Sequence, residues 1–434
     1  MMTTTARQRR AGLVLPALTV AALALASCSG GDGGSGGDGT VTYWSQWEQG
    51  EPQAEILQDA IDDFTADTGI EVQVEWQGRQ IMQKVQPLLR SGDVPDVVDA
   101  SSNDIRATLV RAEQTRGLSD LFASQVPGED GTVGDALGDY DELITADGMD
   151  GPFMLPTILM AQSLFYDGNA HDLAQPADWS ELMSMLEELE SERGSGPIAL
   201  DGDIGSYGAV WTSAALIHQL GAGGFNTIAA DETGQAWDDD GVRTALGQIA
   251  ELAEGGYWAD GSFGSKFPQM QERWAAGEAD LLFMGSWAPQ ETSTSTTDNF
   301  EYRQLGFPPA GNGEFMQSDV SGFAVLAGSD NPDEAEQLLA HFVQADVMQA
   351  MADDAAQLVT RPDVDPPETL ADTAQLINDR TAVRFYDGVD GDYPGYPTEV
   401  FEPVNLELLR GEIDVDEAIA QLIEAQQSYW AKQG

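Results

Sequence analysis

The chain has 434 residues, room for two or three domains at about 150 residues each, and an ordinary globular composition. Its charge is unusual: 74 acidic against 19 basic residues give a net −55, and a surface that acidic repels nucleic acid and anionic lipid headgroups, excluding both as partners. A single cysteine, Cys28, excludes an intrachain disulfide, and three scattered histidines, His171, His218 and His341, leave no zinc motif. The acids are spread along the chain rather than blocked, which favours adaptation to salty surroundings over a cation-binding role.

Arg7, Arg9 and Arg10 precede an apolar segment, Ala11 to Ala26. That length is at or below the roughly 17 to 25 residues of a bilayer-spanning helix, so residues 1–27 are predicted to be a signal peptide. Leu25-Ala26-Ser27-Cys28 is similar to a bacterial lipobox, which implies a diacylglycerol on Cys28. Residues 28–40 form a Gly/Ser/Asp-rich tether. Gly33 to Gly37 fits G-x-S-x-G, but that motif has meaning only on a strand-to-helix elbow. The folded part is therefore expected at the extracellular face of the cell membrane, held only through the lipid.

Val41-Thr42-Tyr43-Trp44 is β-prone and ends in two tryptophans, Trp44 and Trp47, around Ser45 and Gln46. Ile56, Leu57, Ala60, Ile61 and Phe64 recur at helical spacing until Gly69, and residues 70–76 then alternate strictly as a strand. A helix over 81–89 and a strand over 94–98 complete a parallel α/β unit, whose ligand crevice lies at the carboxyl ends of its strands. Trp44, Ser45, Gln46 and Trp47 stand at the first such end, and Ser102, Asn103 and Asp104 at the third. Ile158 to Tyr166 is an apolar run suited to a strand passing between lobes. Asp178, with Glu181 three residues on, opens a helix, and others are predicted over 207–220, 242–252, 331–343, 404–409 and 416–430.

The order of Tyr43-Trp44, Phe64 to Val72, Ser91-Gly92-Asp93-Val94-Pro95-Asp96-Val97, Leu155-Pro156 and Phe165-Tyr166-Asp167 resembles the extracellular solute-binding proteins of carbohydrate ABC importers, the group containing maltose-binding protein. Gly277 to Trp287 is similar to a signature of the same family, in which a strand ends at the cleft and its tryptophan lies against a sugar ring. The resemblance implies an α/β, two-lobed periplasmic-binding-protein fold of class II type. Each lobe would be a mainly parallel sheet flanked by helices, and crossing hinge segments would join 41–158 plus 322–362 to 159–321 plus 363–434. It further implies a mono- or oligosaccharide held between the lobes, a membrane permease as partner, a monomer, and no cofactor, metal or catalytic residue. Tyr207, Trp211, Trp287, Phe385 and Tyr386 join the candidate site on this ground, with core packing left open for Tyr207 and Trp211.

Chemistry supports aromatic residues in such a cleft, because a pyranose face presents C–H groups that an indole ring covers while polar groups take the hydroxyls. Trp76, Trp179 and Trp274 are expected in the core. Met160 stands where maltose-binding protein carries a carboxylate, and Ser45-Gln46 lacks its basic residue, which argues against maltose. Asp387, Asp390 and Asp392 are wrongly spaced for a calcium loop. The alternatives are a binder of a non-sugar solute such as a polyamine or polyol phosphate, and a secreted glycan hydrolase, whose carboxylate pair cannot be singled out among 74 acids.

Overall fold

Val41 and Tyr43 are fully buried while Thr42 and Trp44 are not, so β1 (Thr40–Ser45) lays one face on a core and keeps the other free. In this computed structural model, which describes residues 39–433, β1 pairs in parallel with β2 (Glu71–Trp76) and β3 (Val97–Ser101). Between β1 and β2 runs helix Pro52–Thr68, burying Leu57, Ala60, Ile61 and Phe64. Its proline opens it at a position with no hydrogen bond to lose, and Gly69 ends it in the left-handed conformation.

The remaining strands are β4 (Leu155–Asp167), β5 (Ile198–Ala199), β6 (Leu281–Gly285), β7 (Tyr302–Leu305), β8 (Phe315–Val325) and β9 (Thr381–Val383). They complete one sheet in the order β2-β1-β3-β8-β4-β6-β5, with β7 on β4 and β9 on β8. The first half of β4 pairs with β8, and its second half pairs with β6 and β7, so one strand serves both halves of the molecule. The sheets are mixed rather than mainly parallel. β1–β2, β1–β3, β5–β6 and β8–β9 are parallel, but β8 runs antiparallel to both β3 and β4. The reason is topological: β4 carries the chain out of the first half and β8 brings it back. Where they cross, Gly322 packs so tightly on the Leu155 carbonyl that a side chain would collide with it.

Three cores result. Tyr43, Leu57, Phe64, Phe323 and Phe342 fill the first half, and Trp211, Trp237, Leu246, Phe283 and Phe401 fill the second. A third, with Ile105, Leu159, Phe165, Trp274 and Val320, runs under the crossing strands and ties the halves together. Trp274 is buried as expected, and Trp76 and Trp179 are half-buried at core edges. Cys28, residues 1–27 and most of the 28–40 tether lie outside the described residues. No helix among the described residues is long and apolar enough to cross a membrane.

Asp96 locks the first half. Its carboxylate accepts from Thr42 N and Oγ1 at 2.8 Å, Ser329 Oγ at 2.6 Å, and Asp330 and Asn331 N at 3.1 Å. Burial pushes its pKa up, but the Ser329 hydroxyl and the Thr42 and Asn331 donors more than offset this and hold it below the ordinary 3.8. Asp96→Asn keeps only one acceptor oxygen and is expected to cost about 2 kcal/mol by urea unfolding at pH 7. A folded-state pKa below the unfolded one adds stability above pH ~4 that is lost on further acidification, so the deficit of the variant should shrink there. Equal stability at pH 7 would count against this account.

Candidate functional site

At the carboxyl end of β1 the chain is pinned before it reaches the cleft. Tyr43 Oη donates to Ser45 Oγ at 3.0 Å and to Asp99 Oδ1 at 3.1 Å, and Ser45 is fully buried. Gln46 donates its backbone N–H to Asp99 at 2.9 Å and its side-chain amide to Asp99 at 3.2 Å and Ser321 Oγ at 2.7 Å. Burial pushes the Asp99 carboxyl up to about 6 despite these donors. Ser45 and Gln46 thus position the loop. Trp44, half-exposed on the opposite face of β1 from Tyr43, is the residue this loop presents.

The floor is one face of β8. Gln317, Asp319 and Ser321 alternate with Ser318 and Val320, which point to the other side. Ser102 Oγ donates to Asp319, whose carboxyl is pushed up to about 7 by burial. Asp319 Oδ2 and Asn103 Oδ1 have no hydrogen-bond partner among the described residues, although both residues are at least 96% buried.

Across from these, β6 ends at Gly285, and the chain turns so that the Trp287 indole folds back over that glycine; any side chain at 285 would strike the ring. Trp287 meets Phe385 edge to face at 6.4 Å, and the Tyr207 hydroxyl lies within hydrogen-bond reach of Trp287. Tyr386 and Asp387 both adopt left-handed backbone conformations, φ 52° and 55°, which side chains take only under constraint. The constraint is visible: Tyr386 N donates to Gln317 Oε1 at 3.0 Å, its hydroxyl to the Ser206 carbonyl at 3.2 Å, and Asp387 accepts from Gly223, Phe225 and Asn226 N–H groups. Asp387 therefore serves the fold, and so does Tyr386, expected at the ligand but 7% exposed within the second core, while Phe385 stays half-buried beside Trp287.

The two walls meet through carboxylates. Asp390 is pushed up to about 6 by burial and by the charge of Asp104 opposite. Glu402 is raised by burial and by Asp390, with the nearby Tyr386 hydroxyl opposing. On the other flank, Glu291 is raised by burial, bonds Gln271 at 2.9 Å, and feels Arg79 across the gap. Asp104 is accessible to solvent yet surrounded by protein, as expected for a group on a cleft wall, and burial raises its pKa too.

Trp287 thus meets Phe385 and Tyr207, and Asp104 faces Asp390, whereas Trp44 is half-buried beside the third core and Ser102, Asn103 and Tyr386 are buried. Trp211 joins none of these contacts. It is fully enclosed among Trp258, Phe283 and Phe307, because its helix, Gly205–Leu220, is buried on nearly every side. Trp47 leans on the first core, and its ring is covered by the Arg79 guanidinium at 4.4 Å, which in turn pairs with Glu51 at 2.7 Å. Sequence reasoning missed Asp319, Asp390 and Glu402. Asp319 carried a signal, the one charge within the strand Phe315–Val325. A separate cavity of about 680 Å³, lined by Tyr140, Glu142, Leu159, Asn226, Ser318 and Asn378, opens on the opposite face of the crossing strands and touches none of the candidate residues.

No curated protein sequence matches the chain. Solved structures share its fold. A chitin oligosaccharide binding protein matches at 17% identity and a TM-score of 0.71, over 90% of this chain and 100% of that one. The apo form of RafE from Streptococcus pneumoniae matches at 16% and 0.73, over 90% and 97%. The bacterial solute receptor AcbH, with its preference for b-D-galactopyranose, matches at 17% and 0.71, over 92% and 99%. Residues 49–349 of the 434 match the profile of the bacterial extracellular solute-binding proteins, and the chain belongs to that family.

Proposed function

We propose that this protein captures a mono- or oligosaccharide between its lobes and delivers it to an ABC permease in the membrane, without transforming it. The observation that carries the reading is the facing of Trp287, Phe385 and Tyr207 with carboxylates at their margin. Flat rings take the apolar sugar faces, and acids take hydroxyl hydrogens. The chitin oligosaccharide and b-D-galactopyranose named for two structures of the same fold agree with it. A polyol phosphate fits poorly beside Asp104, Asp390 and Glu402.

In this reading the lobes are 41–158 plus 322–362 and 159–321 plus 363–434, and hinge bending about β4 and β8 closes a monomer over its ligand. The acylated Cys28 would hold the protein at the outer face of the membrane, and its acidity would suit a salty medium. The test is incubation of the purified protein with mono- and disaccharides, at low and high salt. A raised melting temperature with the sugar recovered intact supports the binder; cleavage products favour the hydrolase and overturn it.

A further inference from the structure

Three acids follow one another along the seam between the two walls, Asp104 acting on Asp390 and Asp390 on Glu402, and none of them forms an ion pair among the described residues. Asp104 follows β3, Asp390 lies in the short helix Val389–Asp392 opposite, and Glu402 begins helix Glu402–Leu409. The walls are in near contact here: a side chain on Gly391 would come within 3.1 Å of Asn103 Oδ1 and 3.3 Å of Arg106 Cδ, while Glu402 lies on the same wall as Asp390, its carboxylate against Gly205. Asp104 is bonded by Ser101 Oγ at 2.8 Å, and the Tyr386 hydroxyl lies near Glu402.

The nearby cations face other groups. Arg384 pairs with Asp392 at 2.5 Å, and Arg111 donates to the Asp392 carbonyl at 2.7 Å. Arg106 donates through Nη2 to the Leu143 and Thr145 carbonyls at 3.2 and 2.9 Å, which leaves its charge uncancelled; its Nε has no partner among the described residues, and the carboxylates acting on it are Asp392 and Asp319. Arg79, on the far flank, pairs with Glu51. Two enclosed oxygens beside the acids, Asp319 Oδ2 and Asn103 Oδ1, have no donor among the described residues.

Crowding carboxylates into a half-enclosed space without a cation is costly, and buried acceptors without donors add to that cost. A hydroxyl supplies hydrogens but no charge. An ammonium supplies both, and a pyranose bearing one also fits the aromatic wall. A metal ion is the poorer match, since no three His, Cys, Asp or Glu groups among the described residues gather closely enough to hold one. We infer that the cleft selects an amine-bearing, cationic carbohydrate over its neutral counterpart, with the ammonium among Asp104, Asp390 and Glu402. This rests on the carbohydrate-binding reading and adds the charge of the ligand to it.

The chemistry gives the selectivity a pH dependence. Asp390 is held at about 6, so at pH 7 it carries the negative charge that an ammonium needs. By pH 5 Asp390 is mostly neutral while the ligand amine stays charged, so the preference should fade.

The test is calorimetry on the whole protein with matched pairs at constant ionic strength: glucose and glucosamine, galactose and galactosamine, cellobiose and its di-amino analogue chitobiose. In whichever scaffold binds, the amino form should bind at least tenfold more tightly at pH 7.0, and no more than threefold more tightly at pH 5.0. Asp390→Asn should bring the amino-over-neutral affinity ratio at pH 7.0 down to threefold or less, whatever it does to the neutral sugar itself; an unchanged ratio would overturn the inference. If the neutral member of a binding pair holds as tightly as the amino member in the unmodified protein, the inference is overturned and the carbohydrate reading survives. If neither member of any pair binds, both fall.

Discussion

Trp287→Ala is expected to reduce affinity for the bound sugar at least thirtyfold while leaving the protein folded. The ring is half-buried, with its back against Gly285, its edge on Phe385 and Tyr207 beside it, so only one face is free for a ligand. Removing it strips the largest apolar surface from the wall and leaves Phe385 without its edge contact. An aromatic anchor of this kind typically accounts for about 2 kcal/mol or more of binding, which is thirtyfold in Kd. Stability should change less, because the main cores of both halves lie elsewhere. Calorimetry reports the first effect and the melting temperature of the free protein the second. An affinity within threefold of the unmodified protein would remove Trp287 from the site.

The position of Trp287 at the end of a buried strand was legible because its neighbourhood is local. The run Leu281 to Gly285 is a buried strand, the glycine follows, and the indole stands two residues on. The same holds for the helix Pro52–Thr68, for the alternation of β2, and for Asp178, which caps its helix by accepting from Glu181 N at 3.0 Å. Periodicity failed at Trp211 for a definite reason. The helix Gly205–Leu220 is buried from Gly208 to His218, so no polar stripe marks which side faces solvent. At Trp47 the deciding contact is Arg79, which no spacing rule ties to it.

Asp390 and Glu402 were illegible for another reason. They lie twelve residues apart late in the chain, and only the crossing of β4 and β8 brings that stretch opposite Asp104, which the strand-end rule already places among the candidates. In a chain with 74 carboxylates, none stands out by composition. What separates them is an environment that raises their pKa values, and that exists only after folding. The antiparallel pairing of the crossing strands was hidden in the same way, since strand direction across the sheet depends on where the chain returns.

Asp319→Asn is expected to remove much of the loss of stability that the protein suffers as pH rises from 5 to 8. Asp319 is 1% exposed, and its pKa of about 7 reflects burial first, with the Asp104 charge adding to it and Ser102, Val320 and Asn103 opposing. In the unfolded chain the same carboxyl returns to near 3.8. Between these values the folded state binds the proton more tightly, so stability falls as pH climbs through the window and is fully lowered above about 7. The difference corresponds to a few kcal/mol, on the order of 4. Repulsion within a chain of net charge −55 acts in the same direction, so the absolute slope is no test. The difference between the unmodified protein and Asp319→Asn isolates the one carboxyl, because the general repulsion is nearly common to both. Asparagine keeps an oxygen for Ser102 and Val320 but cannot ionise. The variant should therefore be the more stable of the two at pH 8 and no more stable at pH 5, measured by urea unfolding at fixed salt. Parallel stability curves across that range would mean that Asp319 is not a strained, buried acid, and that the floor of the cleft is more open to water than its burial implies.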